Sequence, residues 1–258
     1  MKSIFITATD TDAGKTFVSC ALIHALKNSK HVPSNNIRVA AFKPVSAGCE
    51  LIAGKLVNED AKHLMHLANC HQSIDEVNPI AFQEPIAPHI AAKQQNSTIT
   101  VEQITHFYQK VRAHQADVIL IEGAGGWRLP LSSVNLTDKN PTNRNNSKPE
   151  FLSDFVKQSG CEVVLVVNMK LGCLNHALLT YQAILADGLV CIAWVANCAE
   201  QESMRNLNEN IQELELLLPV PKIATIDYIA SKDEAGRLLT FTDKISIAAK
   251  KINLTPLI

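Results

Sequence analysis

The stretch Ile4-Phe-Ile-Thr-Ala-Thr-Asp-Thr-Asp-Ala-Gly-Lys-Thr16 decides how the chain is interpreted. It begins with an apolar run, Ile4–Ala8, that is typical of a buried strand. A polar loop follows and leads through Gly14 into Lys15–Lys27, where apolar residues recur with helical spacing. Strand, loop and helix in this order form a phosphate cradle, because backbone N–H groups and the helix N-terminus attract anions.

This cradle predicts a nucleotide site in which Lys15 reaches the β- and γ-phosphates and the Thr16 hydroxyl binds Mg²⁺. The standard pattern G-x-x-x-x-G-K-[ST] would place its first glycine at position 9, where the chain has Thr9. The strict motif is therefore absent. An ordinary turn that happens to contain Gly-Lys-Thr remains the alternative.

Five more short apolar runs predict further strands, and segments with helical spacing lie between them. The predicted strands are Arg38–Phe42, Val118–Ile121, Val163–Val167, Val190–Val195 and Ile223–Ile226. The predicted helices are Val101–Ala113, Asn175–Ala186, Glu209–Leu218 and Asp243–Ile252. Continuous apolar strands that alternate with helices indicate an α/β fold, a doubly wound, mostly parallel sheet with helices on both faces. We expect one domain over residues 1–258, with a mobile loop at the Asn-rich segment Val134–Glu150, which is either a tolerated insertion or a lid.

The composition limits the possible partners. Of the 258 residues 47% are hydrophobic and 19% charged, which excludes a disordered or fibrous chain. The net charge of -1 gives no excess of positive charge that would favour binding to nucleic acid or a membrane surface. The chain has seven cysteines, an odd number, and no C-x-x-C pair. This disfavours a zinc ribbon or a disulfide scaffold and predicts that the cysteines are reduced thiols. With no signal-peptide pattern and no apolar run long enough to span a membrane, we expect a cytoplasmic protein.

Three further residues extend the predicted nucleotide site. Glu122 ends a buried strand before a glycine loop, where an acid would complete a Mg²⁺ site opposite Thr16. Lys43 follows the second strand and would neutralise charge in phosphoryl transfer. Asp60 opens a predicted helix and is otherwise a first-turn acid. Taken singly, these residues are also explained as solvated charges at the ends of strands and helices.

Together the motifs resemble those of the dethiobiotin synthetase family, over nearly the full chain. The resemblance rests on Thr9-Asp-Thr-Asp-Ala-Gly-Lys-Thr16, Phe42-Lys-Pro-Val45, Glu84-Pro-Ile-Ala-Pro-His89, Glu122-Gly-Ala-Gly-Gly-Trp127, Lys170-Leu-Gly-Cys-Leu-Asn-His-Ala177 and Trp194-Val-Ala-Asn197. It implies a P-loop NTPase fold whose loop carries one residue more than the standard motif. It also implies a reaction in which 7,8-diaminopelargonate, CO₂ and ATP give dethiobiotin, ADP and phosphate, through a carbamate and a carbamic–phosphoric anhydride.

The resemblance further implies roles for individual residues. Catalytic roles fall to Lys15, Lys43, Thr11 and Asp12. Mg²⁺ would be held by Thr16, Asp60 and Glu122. The nucleotide would contact Asp12, Ala13, Gly14, Lys15, Thr16, Phe17, Asp60, Glu122, Gly123, Ala124, Gly125, Asn197, Cys198, Asp227, Tyr228 and Ile229. The diamine would contact Thr11, Lys43, Ser46 and Ala47 and, from a partner subunit, Leu171, Gly172, Cys173, Asn175 and His176. The implied assembly is a homodimer with shared sites. For the last segment a plain helix N-cap at Asn175 is the alternative.

Four positions depart from the family's pattern. Ala8 replaces the usual leading glycine, and Asp12 replaces a longer Glu. Ala47 stands where the family tends to have Ser or Thr, while Ser46 lies one residue earlier. Cys198 replaces an acid after Asn197, which leaves the choice of nucleotide base open.

Three other functions compete with this one. A partition-type ATPase switch has a similar fold, but it usually carries an extra lysine early in the loop, where this chain has Thr9, Asp10 and Thr11. A non-catalytic nucleotide-binding module would need fewer convergent charges than Lys43, Asp60 and Glu122. A dinucleotide-dependent dehydrogenase is disfavoured because no G-x-G-x-x-G follows the first strand.

Overall fold

The computed structural model describes residues 1–29, 37–132 and 148–258. Within them the strands are β1 (Lys2–Ala8), β2 (Val39–Phe42), β3 (Val45–Ser46), β4 (Glu50–Ile52), β5 (Lys55–Val57), β6 (Ile80–Ala81), β7 (Val118–Glu122), β8 (Glu162–Asn168), β9 (Cys191–Asn197) and β10 (Lys222–Ile226). The helices are α1 (Lys15–Lys27), α2 (Glu59–Leu67), α3 (Ile74–Val77), α4 (Pro88–Gln94), α5 (Val101–Arg112), α6 (Leu152–Ser159), α7 (Cys173–Ala186), α8 (Leu207–Leu217) and α9 (Phe241–Ala249).

Six strands form the main sheet in the order β10-β9-β8-β1-β7-β2, and every neighbouring pair is parallel. The chain moves from β1 to β2 on one side and later from β7 to β8 on the other. β1 therefore lies at the point where the strand order reverses, and in such sheets ligands bind beyond the carboxyl ends of the strands. Two small pairs, parallel β3–β6 and antiparallel β4–β5, lie outside the main sheet.

The sheet is buried on both faces, as the continuous apolar runs predict. Neighbouring residues of β1 point to opposite sides: Ile4 and Ile6 belong to one core cluster, and Phe5 belongs to the other. Residues of α1, α2 and α9 pack in the cluster of Ile4, whereas residues of α5, α6, α7 and α8 pack in the cluster of Phe5. The prediction of a doubly wound parallel sheet with helices on both faces is confirmed.

The predicted elements agree with the structure to within a few residues, with two notable differences. Helix α7 begins at Cys173 with Gly172 before it, so the alternative of an N-cap at Asn175 is wrong. The sequence analysis did not predict α3, α4, α6 or the small strand pairs. These pieces are too short for a periodic apolar pattern to be distinguished.

The predicted mobile loop Val134–Glu150 lies mostly outside the described residues, which resume at position 148. Its last residue is held in place: the Glu150 backbone carbonyl accepts a hydrogen bond from the Leu131 N–H at 2.8 Å. The Glu150 carboxylate accepts another from the Val101 N–H at 3.0 Å. None of the helices in the described ranges combines the length and apolar composition that a membrane crossing demands.

All seven cysteines are free thiols, and only Cys198 is not fully buried. Burial raises the pKa of both Cys161 and Cys191 to about 12. At pH 8 such thiols are ionised to about one part in ten thousand, and the thiolate is the reactive form. We therefore expect a thiol-specific reagent at pH 8 to modify at most one cysteine rapidly in the folded protein and seven in guanidinium chloride. Mass spectrometry of the product should assign the rapid site to Cys198, and two or more rapidly modified thiols would contradict this burial.

Candidate functional site

A cavity of about 750 Å³ lies beyond the carboxyl ends of β1, β7 and β2. These three strands are neighbours in the sheet, so the segments that follow them meet at one edge. Most of the cavity lining comes from predicted site residues: Thr11, Asp12, Gly14, Lys15, Thr16, Lys43, Ser46, Ala47, Asp60, Glu122, Gly123, Ala124 and Gly125. The structure thus brings together the loop before α1, the end of β2, the start of α2 and the glycine loop after β7.

The loop before α1 turns through left-handed backbone conformations. Asp12 has φ 59° and Gly14 has φ 79°, and Gly14 directly precedes the helix. Glycine has no side chain to cap the helix, so the N–H groups of the first turn are open to an anion. A Cβ on Gly14 would lie 2.2 Å from Asn197 Nδ2, which donates a hydrogen bond to the Ala13 carbonyl at 2.8 Å. Gly14 is therefore required both by its backbone conformation and by its contact with Asn197.

Lys43 forms the centre of a partly buried charge cluster. Its Nζ lies 2.5 Å from Glu122 Oε1 and 2.8 Å from Asp60 Oδ2. The Thr16 hydroxyl donates to the same Glu122 oxygen at 2.9 Å. Glu122 is 0% exposed, and removal of one partner from such a buried pair typically costs about 3–5 kcal/mol. The cluster therefore links β1–α1, β2, α2 and β7 at the floor of the cavity.

The charges also set the ionisation of the cluster. Burial alone lowers the pKa of Lys43, but the neighbouring Glu122 and Asp60 outweigh it, so the pKa lies above its usual value. Burial raises the pKa of Asp60, but Lys43 outweighs burial and holds the pKa below its usual value. Lys43 is therefore an ammonium and Asp60 a carboxylate at neutral pH.

Lys15 brings a second cation to the cavity. Its Nζ donates to the Asp10 carbonyl at 3.2 Å. Burial lowers the pKa of Lys15, nearby Glu122 opposes this, and nearby Lys43 adds to it. Two lysines that point into one partly buried cavity favour a polyanion such as a triphosphate, because each phosphate oxygen replaces water as a partner of the charge.

The oxygen atoms beside Lys43 fit a magnesium ion. Glu122 Oε2 is buried and has no hydrogen-bond partner among residues 1–29, 37–132 and 148–258. The Thr16 hydroxyl and the Asp60 carboxylate lie on the same cluster, and Mg²⁺ prefers such oxygen ligands. No group of three or more His, Cys, Asp or Glu residues in the described ranges is arranged to hold a metal. Mg²⁺ takes one or two protein carboxylates, which Asp60 and Glu122 would supply, and completes its shell with water and phosphate.

The glycine loop after β7 passes close to β1. A Cβ on Gly123 would lie 2.8 Å from the Phe5 ring, so only glycine fits without movement of the ring. Farther along, Trp127 Nε1 and Arg128 Nη2 both donate to the Asp187 carboxylate, at 2.8 and 2.9 Å. Asp187 at the end of α7 therefore anchors this loop, a contact that no local pattern in the sequence indicates.

Ser46 and Ala47, which follow Val45, differ in the groups that they present to the cavity. Ser46 lines the cavity but is 2% exposed, and its hydroxyl donates to Asn78 Oδ1 at 2.7 Å. Ala47 also lines the cavity and has no polar side chain. The hydroxyl that Ser46 carries is thus engaged inside the protein.

Sequence reasoning missed part of the cavity wall. Asn58 precedes α2 and caps it by accepting a hydrogen bond from the Ala61 N–H at 3.1 Å. An apolar wall is formed by Pro85, Ile86, Ala87, Pro88 and Leu129. Most of this wall lies within the motif Glu84–His89, which the sequence analysis quoted only for its resemblance to the family. Its proline and alanine side chains have no reactive or polar group from which a place in the site could be predicted.

The predicted base-binding residues lie at the ends of β9 and β10, on the other side of β1 from Lys43. Asn197 is buried and contacts the loop before α1, as described above. The Cys198 N–H donates to the Ile226 carbonyl at 2.8 Å, and Asp227 pairs with Lys251. Seven predicted nucleotide contacts do not line the cavity: Ala13, Phe17, Asn197, Cys198, Asp227, Tyr228 and Ile229. Phe17 instead packs edge-on against Phe241.

The predicted partner-contributed segment is separate from the cavity of its own chain. Leu171, Gly172, Cys173, Asn175 and His176 do not line it. Leu171 is 93% exposed at the start of α7. Just before it, Lys170 pairs with Asp10 at 3.0 Å, and this contact lowers the pKa of Asp10. The segment is thus anchored to the loop before α1 and projects an apolar side chain outward.

Comparisons with known proteins agree on one family. A protein-family model described as an AAA domain matches residues 2–235. A curated relative from Alteromonas mediterranea, named ATP-dependent dethiobiotin synthetase BioD, is 43% identical over 95% of this chain and 100% of the relative. A relative of the same name from Pseudoalteromonas translucida is 42% identical over 88% of this chain and 91% of the relative.

Among solved structures, a ParA family ATPase from Chlorobium tepidum is similar, with a TM-score of 0.52. The superposition covers 97% of this chain and 95% of the ATPase, at 14% sequence identity. At this identity the similarity shows the fold alone.

The contact between Gly14 and Asn197 predicts a strong effect of Gly14→Ala. We expect nucleotide affinity to fall by about tenfold or more, because a methyl group would displace Asn197 and strain the loop that binds phosphate. Gly188→Ala is the matched control, because Gly188 has φ 76° and nothing within 4 Å of the added Cβ. Its expected cost is about 1–2 kcal/mol of stability with unchanged nucleotide affinity. Calorimetric ATP titration and thermal unfolding measure both, and equal affinities for the two variants would contradict the role of the contact.

Proposed function

The chain belongs to the ATP-dependent dethiobiotin synthetase family, and on that basis we propose that this ligase-type enzyme closes the urea ring of dethiobiotin from 7,8-diaminopelargonate, CO₂ and ATP in biotin biosynthesis. The observation that carries the proposal is the buried pair of Lys43 and Glu122, extended by Asp60 and Thr16, beside an open helix N-terminus. A site for nucleotide binding alone would not need a second buried cation at the end of β2.

The reaction proceeds in three steps. One amine of the substrate attacks CO₂ and loses a proton to give a carbamate. A carbamate oxygen then attacks the γ-phosphorus, the bond to the β-phosphate oxygen breaks, and ADP leaves. Finally the second amine attacks the carbonyl carbon of the mixed anhydride, phosphate leaves with the bonding electrons, and loss of a proton completes the five-membered ring. The protein acts by holding the reactants in line and by stabilising charge.

Lys43 and Lys15 provide the charge stabilisation. Both ammonium groups line the cavity, where they neutralise the oxygens of the γ-phosphoryl group as it moves to the carbamate. Bound Mg²⁺ would supply further neutralisation of the phosphates, and Thr16, Asp60 and Glu122 would hold it. Because Glu122 already pairs with Lys43, the lysine is held in place before the substrates arrive.

Thr11 and Asp12 are suited to the substrate diamine. Both are exposed at the tip of the loop and line the cavity, so a carboxylate and a hydroxyl face the space next to Lys15. The apolar wall of Pro85–Pro88 and Leu129 suits the aliphatic chain of the diamine. Asn197, Cys198 and the segment Asp227–Ile229 lie on the side of β1 where the nucleotide base would extend.

We further propose a homodimer in which Leu171–His176 of one subunit completes the site of the other. The exposure of Leu171 and the open N-terminus of α7 support this, since the first turn of a helix attracts a carboxylate such as that of the substrate. Seven free thiols support a cytoplasmic location, because such thiols persist in reducing compartments.

The proposed function predicts phosphate release from Mg-ATP and bicarbonate only when 7,8-diaminopelargonate is present. Mass spectrometry should detect a product with the mass of dethiobiotin in equal amount. Lys43→Gln should lower kcat far more than it weakens ATP binding, because Lys43 acts on charge that develops in the transition state. Phosphate release that is indifferent to the diamine would instead favour an ATPase switch of the partition type.

The shared site predicts complementation between two inactive variants. Lys15→Ala disables one half of the site, and the double variant Asn175→Ala, His176→Ala disables the other. Random mixing gives half heterodimers with one intact site each, so we expect about a quarter of wild-type activity. The measurement is product formation by subunits mixed after reversible dissociation. Heterodimers that are demonstrated by mass spectrometry but remain inactive would refute the shared site.

A further inference from the structure

The outer edge of β2 is hydrogen-bonded by side-chain amides. β2 is the last strand of the main sheet, and a bare edge would leave backbone groups unpaired. Asn69 Oδ1 accepts from the Val39 N–H at 2.7 Å. Two residues on, Gln72 binds both backbone groups of Ala41: its Oε1 accepts from the N–H at 2.7 Å and its Nε2 donates to the C=O at 2.9 Å.

The same pattern continues to Lys43. The Lys43 N–H donates to the Val77 carbonyl at 2.7 Å, and the Lys43 carbonyl accepts from Asn78 Nδ2 at 2.7 Å. Asn78 Oδ1 in turn accepts from the Ser46 hydroxyl at 2.7 Å. Asn78 is 6% exposed, so one buried amide joins the residues on both sides of Pro44.

The main sheet itself does not hold Lys43. The pairing of β2 with β7 ends at Phe42 and Ile121, one residue before the lysine. The backbone of Lys43 therefore depends on Val77 and Asn78 for both of its hydrogen bonds. Its ammonium is meanwhile shared between Glu122 and Asp60, which lie on two other elements.

We propose that Asn78 is a positioning residue that sets the location of the Lys43 ammonium for phosphoryl transfer, an inference that rests on the role of Lys43 in the proposed function. The Asn78 amide supplies a donor for the Lys43 carbonyl and an acceptor for Ser46 in one planar group, whereas an ionised carboxylate has acceptors only. An aspartate has the same shape but places an acceptor against that carbonyl. Such a change would shift the backbone from which the lysine extends, without touching the loop that binds phosphate.

Asn78→Asp tests this against a matched control, Gln72→Glu. Each change replaces a buried amide with a carboxylate of the same shape. Asn78→Asp removes the donor to the Lys43 carbonyl, and Gln72→Glu removes the donor to the Ala41 carbonyl. We expect Asn78→Asp to lower kcat about tenfold to a hundredfold, with the Kd for ATP within about twofold of wild type. Gln72→Glu should lower stability but keep kcat within about twofold. Asn78→Ser, which buries no charge, should lower kcat in the same direction.

The outcomes separate this inference from the proposed function. If the wild type forms no product with the diamine, the proposed function fails. If the wild type is active, Lys43→Gln is impaired and both folded Asn78 variants keep their kcat, then Asn78 does not position Lys43. If Gln72→Glu lowers kcat as much as Asn78→Asp does, the inference is also overturned. Failure of both Asn78 variants to fold while Gln72→Glu folds would make Asn78 structural only.

Discussion

The ion pair between Lys43 and Glu122 is the interaction on which the site depends. Glu122 has no solvent contact and Lys43 almost none, so neither charge is stable there without the other. The pair joins the ends of β2 and β7, while Asp60 and Thr16 extend it to α2 and α1. Within the part of the chain that the structure describes, the cavity thus has a fixed cation and a carboxylate oxygen without a hydrogen-bond partner.

The parallel sheet explains why these groups meet. Strands that run in one direction bring all of their carboxyl ends to one edge, and β1, β7 and β2 are adjacent there. Asn197, at the end of β9, reaches across to Ala13 and Gly14 from the other side. The loop before α1 is therefore held between the side of the sheet that carries Lys43 and the side that carries Asn197.

The fold similarity and the family membership of this chain rest on different observations. The similarity to a ParA family ATPase concerns the sheet and its helices, and proteins with one fold perform many reactions. The family membership rests on 43% identity across almost the whole chain. The small β3–β6 pair contributes Ser46 to the cavity lining, and Pro85–Pro88 add an apolar wall.

The sequence by itself determined the alternation of strands and helices, the Gly-Lys-Thr start of α1, and the positions of Lys43 and Glu122 at the ends of strands. These follow from local pattern, because apolar runs and a Gly-Lys-Thr helix start are readable from neighbours in the chain. Only the tertiary structure decided that Asn78 holds Lys43, that Asn197 supports Gly14 and that Asp187 anchors the glycine loop. Each of these contacts joins residues 35 or more positions apart. A lone Asn or Asp at the end of a strand or helix has many possible partners, and only packing selects one.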